Sequence, residues 1–107
     1  MERHASGLTL ALLLSVAASA VPAHARNPAA CNSFLCMAGV TGVGAPGGPA
    51  CAGPIAAFHA LQVWNPYFNA AATASLRRRY LMTCPGLRTP GNLAILNAII
   101  ARWGYRP

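Results

Sequence analysis

The chain reads as an all-α domain of three to four helices, small and stapled by disulfides, behind a cleavable signal peptide. Three observations predict this. Beyond residue 54 apolar residues recur at helical spacing, and no strand pattern competes. Proline and glycine punctuate those segments where helices start and stop. Four cysteines, an even number, follow a start that has the form of a secretory signal.

Residues 1–25 are the expected signal. Arg3 supplies the charged start, Leu8 to Val21 the apolar stretch, and Ala23-His24-Ala25 the small-x-small pattern, so cleavage is expected after Ala25. A bilayer span needs about 20 apolar residues. This stretch is shorter, which weighs against an uncleaved anchor, and no second segment of that kind follows. No transmembrane segment is therefore expected in the mature chain, residues 26–107.

Cleavage removes the one acidic side chain, Glu2, together with Arg3, and leaves the net side-chain charge at +7. The cations are all arginine: Arg26, Arg77, Arg78, Arg79, Arg88, Arg102 and Arg106. A domain of this size is near the point where a core alone becomes marginal and crosslinks help.

Cys31, Cys36, Cys51 and Cys84 are the expected crosslinks in an oxidising compartment. Their spacings lack the paired C-x2-C knuckles of a zinc site, and no C-x-x-C redox pair is present. Four cysteines allow three pairings. If Ser33 to Met37 is helical, Cys31 and Cys36 lie about 140° apart around the axis and roughly 7.5 Å apart along it, beyond disulfide reach. Two pairings remain, of which Cys36 with Cys51 and Cys31 with Cys84 is preferred here.

Between Gly39 and Pro54 six glycines and three prolines predict an irregular connection pinned by Cys36 and Cys51. It is not a phosphate-binding loop, because no Gly-Lys-Ser or Gly-Lys-Thr follows and no strand precedes it. Pro54 fits a first helical turn. Ile55, Phe58 and Leu61 recur at helical spacing after it, and Asn65-Pro66 is expected to end that helix. His59, the one histidine after the signal, has no partner cluster for metal or for a nucleophile dyad and reads as surface or structural.

Asn69 is a good cap for a helix running to about Cys84, where Pro85-Gly86 stops it. Leu76, Tyr80, Leu81 and Cys84 form its expected buried stripe. Arg77, Arg78 and Arg79 fan across roughly 200° of the same helix. Arg77 points into the stripe, and with no acid nearby its guanidinium must find carbonyls, an aromatic face, the chain terminus, water or a partner. The three are a candidate partner surface for an acidic protein or anionic lipid, against the plainer reading of a solvated face near a helix C-terminus. Thr89 and Pro90 open a last helix as cap and first residue, with Leu93, Ile95, Leu96, Ile99, Ile100 and Trp103 on a broad apolar arc and Gly104 at its end.

Cys31, Leu35-Cys36-Met37-Ala38-Gly39, Cys51-Ala52-Gly53-Pro54-Ile55, the Phe68 to Thr73 stretch, Arg79-Tyr80-Leu81 and Cys84-Pro85 together resemble the TrbM/KikA family of conjugal transfer proteins. The resemblance covers Cys31 to about Gly104. It implies an exported accessory of plasmid conjugation, associated with mating-pair formation and type IV secretion, and it brings no catalytic residue with it.

The residues point away from catalysis. A muramidase or lytic transglycosylase needs an acid to protonate the glycosidic oxygen. A serine hydrolase would need His59 with an orienting acid, and a cysteine nucleophile a free thiol. No cofactor or metal is expected. The leading expectation is a periplasmic, or secreted, helical protein that acts by contact with components of the conjugative transfer machinery. The alternative is a cationic secreted peptide on anionic membranes, drawn from the charge and the tryptophan-bearing last helix. Nucleic acid ranks behind both: the charge suits phosphates, but no recognised module is present and the aromatics are not interleaved with the arginines.

Overall fold

The structure is a computed structural model that describes residues 27–107. The expected signal peptide and its cleavage after Ala25 lie outside the described residues. Four α-helices follow in order: α1 (Pro28–Thr41), α2 (Ala52–His59), α3 (Ala70–Met82) and α4 (Pro90–Ile99). A 3-10 turn, Gly48–Cys51, leads into α2, and a π-turn, Ile100–Gly104, extends α4. The all-α expectation holds, with no strand among the described residues beyond a single bridge between Trp64 and Phe68.

Helix α1 is capped at both ends. The Asn27 side chain accepts from the Ala30 N–H at 3.1 Å, and Pro28 occupies the first turn, where its missing N–H costs nothing. Gly42 adopts φ 86°, its N–H donating to the Gly39 carbonyl while that of Val43 donates to the Ala38 carbonyl. This is the Schellman arrangement that closes a helix on a left-handed residue. The irregular connection expected from Gly39 is therefore shorter: the first three of its residues are helical, and Gly48–Cys51 is a 3-10 turn. Gly47 is pressed so closely onto the Cys51 sulfur that a Cβ there would overlap it.

Helix α2 ends at His59, six residues before the expected stop at Asn65-Pro66. Side chains from α3 take over the backbone groups that a longer helix would have paired. Arg77 donates to the carbonyls of His59 and Leu61, and Thr73 Oγ1 accepts from the Val63 N–H at 2.9 Å. The chain then forms a small hairpin around a cis Asn65-Pro66 bond, with Asn69 N–H donating to the Val63 carbonyl at 2.8 Å.

Asn69 caps α3 as expected, its side chain accepting from the Ala72 N–H at 2.9 Å. The buried stripe is rotated relative to expectation. Thr73, Ala74, Arg77, Leu81 and Cys84 are buried, whereas Leu76 and Tyr80 are half-buried. A fully buried Arg77 sets that rotation, because its guanidinium has acceptors in one direction only. Thr89 is the N-cap of α4 by backbone geometry, but its hydroxyl donates to the Gly86 carbonyl and accepts nothing from the helix.

The core gathers Phe34 and Met37 of α1, Phe58 of α2, Leu81 of α3 and Leu96, Ile99 and Ile100 at the end of the chain. Ser33 is buried with them, satisfied by the Pro54 carbonyl at 2.8 Å and the Tyr80 hydroxyl at 3.1 Å. Two disulfides close the frame in the preferred pairing. Cys31 bonds Cys84, joining α1 to the end of α3, and Cys36 bonds Cys51, joining α1 to the 3-10 turn. No cysteine is left free.

Candidate functional site

Six arginines fall among the described residues, and not one Asp or Glu does. Where each guanidinium goes decides what surface the protein offers.

Arg77 goes inward and is completely shielded from solvent. Its Nε donates to the Leu61 carbonyl at 3.0 Å and its Nη2 to the His59 carbonyl at 3.1 Å. Its Nη1 reaches the carbonyls of Trp103 and Arg106, both at 2.6 Å, and that of Gly104 at 3.3 Å. Phe58 presents its ring 5.2 Å from the guanidinium carbon. The end of α2 and the end of the C-terminal turn thus converge on one cation. Their unpaired carbonyls carry the negative end of each helix dipole, which stands in for the missing carboxylate. Burial lowers the Arg77 pKa from its ordinary value, but a guanidinium keeps its proton in proteins. Arg77 is thereby removed from the expected partner surface: a buried side chain with five carbonyl partners has nothing to offer a neighbour.

The other two members of that surface diverge. Arg78 is half-buried and donates to the Asn97 side-chain oxygen at 3.0 Å, tying α3 to α4. Arg79 is exposed and makes no side-chain hydrogen bond among the described residues. The run of three is therefore one structural cation, one helix-to-helix tie and one surface charge.

His59 is half-buried beside the Arg77 hub. Its imidazole packs edge-on against Phe58, with centroids 5.3 Å apart, and against Trp103 at 5.7 Å. Burial, and secondarily the Arg77 charge, pushes its pKa below the ordinary histidine value. Among the described residues neither an acid nor a nucleophile stands beside it.

A second constellation was not read from the sequence. Arg102 and Arg106, both exposed, lie over the Trp103 ring with guanidinium carbons 5.1 and 5.3 Å from its centroid. The hairpin places Trp64 and Phe68 edge to face at 5.4 Å, with Trp64 Nε1 donating to the Gln62 side chain at 3.0 Å. Trp64 and Tyr67 are 58% and 82% exposed, and Tyr105 is 54% exposed, so the large exposed aromatics belong to these two segments. The signal was present in outline: aromatics on both sides of Asn65-Pro66, and arginines placed one residue before and three after Trp103.

Two clefts lie elsewhere. One of about 380 Å³ opens at the Pro85-Gly86 turn between Met82 and Thr89, and one of about 210 Å³ lies between α1 and α2, lined by Asn32, Ser33, Pro54 and Tyr80. Neither gathers the convergent polar groups of a small-molecule site. Among the described residues no three His, Cys, Asp or Glu side chains come together, and no helix is long and apolar enough to cross a membrane. Neither a protein-family model, nor a curated protein, nor a solved structure matches the chain.

Proposed function

We propose that this chain is an exported accessory of plasmid conjugal transfer that works in the periplasm by contact with components of the mating-pair formation and type IV secretion apparatus. The observation that carries the reading is the coincidence of motif and crosslink. The two segments most specific to the TrbM/KikA resemblance, Leu35-Cys36-Met37-Ala38-Gly39 and Cys51-Ala52-Gly53-Pro54-Ile55, are the two joined by the Cys36–Cys51 disulfide. The resemblance therefore rests on the part of the chain that fixes its architecture. Paired cysteines also suit an oxidising compartment.

Contact rather than chemistry is proposed because residues 26–107 offer no acid for glycosidic cleavage and no thiolate for attack, and because the helical frame presents exposed aromatic and arginine side chains. Deleting the gene from a self-transmissible plasmid that carries it should lower conjugation frequency, and supplying it in trans should restore transfer. Unchanged transfer in a sensitive mating assay removes the reading.

A further inference from the structure

We propose that the end of the molecule formed by the Trp64–Phe68 hairpin and the Arg102–Arg106 segment is a docking face for an anionic phospholipid surface, its aromatic rings at headgroup depth and its guanidinium groups on lipid phosphates. The inference does not depend on the conjugal reading.

Arg77 brings the two segments together. Leu61, three residues before Trp64, and Arg106 have their carbonyls on the same guanidinium, so hairpin and C-terminal segment emerge at one end of the fold, a guanidinium's width apart at their base. Gln62 continues the connection, donating to the His59 carbonyl and holding the Trp64 indole through its oxygen. The three large aromatics that are mostly exposed, Trp64, Tyr67 and Tyr105, all lie here, while the exposed aliphatics Leu35, Val40 and Val43 belong to α1 and the turn after it.

Among the described residues no side chain answers the charge on this face with a negative one. Arg102 and Arg106 are exposed and stack on the Trp103 ring, and residues 27–107 contain no carboxylate side chain to neutralise them. An external anion suits them, and arginine forks match phosphate oxygens. Shape selects the source. Residues 64 to 67 are exposed without interruption, which makes a convex tip, and both clefts lie away from it. An acidic peptide would want a groove. A headgroup layer accepts a convex tip, and Trp and Tyr favour that interface because one end of each ring system is apolar and the other polar. The apolar arc of α4 is not the contact, since Leu96, Ile99 and Ile100 are buried in the core.

The test is co-sedimentation of the purified, disulfide-bonded protein with vesicles of phosphatidylglycerol and phosphatidylethanolamine, against vesicles of phosphatidylcholine alone. Binding to the anionic vesicles, release by added salt and a blue shift of tryptophan emission are expected. With folding checked by circular dichroism, Trp64→Ala/Tyr67→Ala should abolish the blue shift and weaken binding at least tenfold. Arg102→Gln/Arg106→Gln should weaken it about fivefold per arginine, and Arg79→Gln/Arg88→Gln, which removes two exposed charges elsewhere, distinctly less. Absence of binding to the anionic vesicles overturns the proposal. So does full affinity in the aromatic variant, which would leave the face to an acidic protein, and so does an equal loss in the Arg79/Arg88 variant, which would mean that net charge alone is read.

Discussion

Arg77 and Trp103 are joined by a hydrogen bond of 2.6 Å from the guanidinium to the backbone carbonyl, and the same guanidinium nitrogen reaches the Arg106 carbonyl at the same distance. A cation that would ordinarily be buried only against a carboxylate is held here by the ends of two helical segments. The hub orients the C-terminal turn, and with it the arginines and aromatics of the proposed docking face.

Replacing Arg77 tests the hub directly. Arg77→Met keeps much of the volume but leaves the carbonyls of Leu61, Trp103, Gly104 and Arg106 without their side-chain donor, and that of His59 with Gln62 alone. Stranding several buried acceptors costs about 1–3 kcal/mol each before relaxation and water entry, so a net loss of about 3–5 kcal/mol is expected in urea unfolding. Arg77→Lys retains the charge but not the planar fork, and should recover only part of that loss. A loss below about 1 kcal/mol for Arg77→Met would mean that the carbonyls find other partners easily.

The pH dependence of stability should follow His59. Its folded pKa lies below its unfolded value of about 6.5, so on acidification the unfolded state binds the proton first. Stability is then flat above the unfolded pKa, falls as pH drops below it, and levels once pH is below the folded pKa. One proton limits the slope to about 1.4 kcal/mol per pH unit. Acid side chains add nothing, since residues 27–107 contain no Asp or Glu. Urea midpoints between pH 7.5 and 4.5 should fall for the wild type and stay nearly level for His59→Gln. A wild-type slope steeper than one proton would place the titration in a second group.

Asn69 and Thr89 look alike in sequence, each a capping residue before a helix, and the structure separates them. Asn69→Ala removes an acceptor from the Ala72 N–H and should cost about 1 kcal/mol. Thr89→Ala removes a hydroxyl that satisfies no helix donor and should cost a few tenths at most. Equal losses for the two would show that the hydroxyl of Thr89 reaches the helix in solution.

These contrasts mark what could be read in advance. Helix class, the Asn69 cap and the last helix were legible because each rests on local spacing. For the cysteines the geometry of one helix excluded only a Cys31–Cys36 bond and left two pairings, of which the preferred one is the one observed. The end of α2 was not legible. Leu61 to Trp64 has nothing against helix in its own residues, and Arg77 and Thr73, reaching across from α3, take its backbone groups instead. The arginine run was legible only in part. Position on a helical wheel gave Arg77 its direction, but only tertiary packing shows that two helix ends lie there to accept it. The Trp64 and Trp103 clusters depend on a hairpin and a C-terminal turn whose meeting point no local pattern records.

The two disulfides should differ in how much they hold. Cys31–Cys84 spans 53 positions and Cys36–Cys51 spans 15, which by loop-closure entropy corresponds to about 4 and about 3 kcal/mol. The shorter bridge also depends on its neighbour, because a Cβ at position 47 would overlap the Cys51 sulfur. Cys31→Ser/Cys84→Ser should therefore be the more destabilised of the two paired variants. Gly47→Ala should destabilise the protein by forcing the 3-10 turn away from Cys36, with slower closure of that one bridge on oxidative refolding. Thermal unfolding and thiol titration read both effects. If Gly47→Ala closes both bridges at the wild-type rate and melts at the wild-type temperature, the glycine loop has room to move off the sulfur, and its packing against α1 is not what holds Cys51 in place.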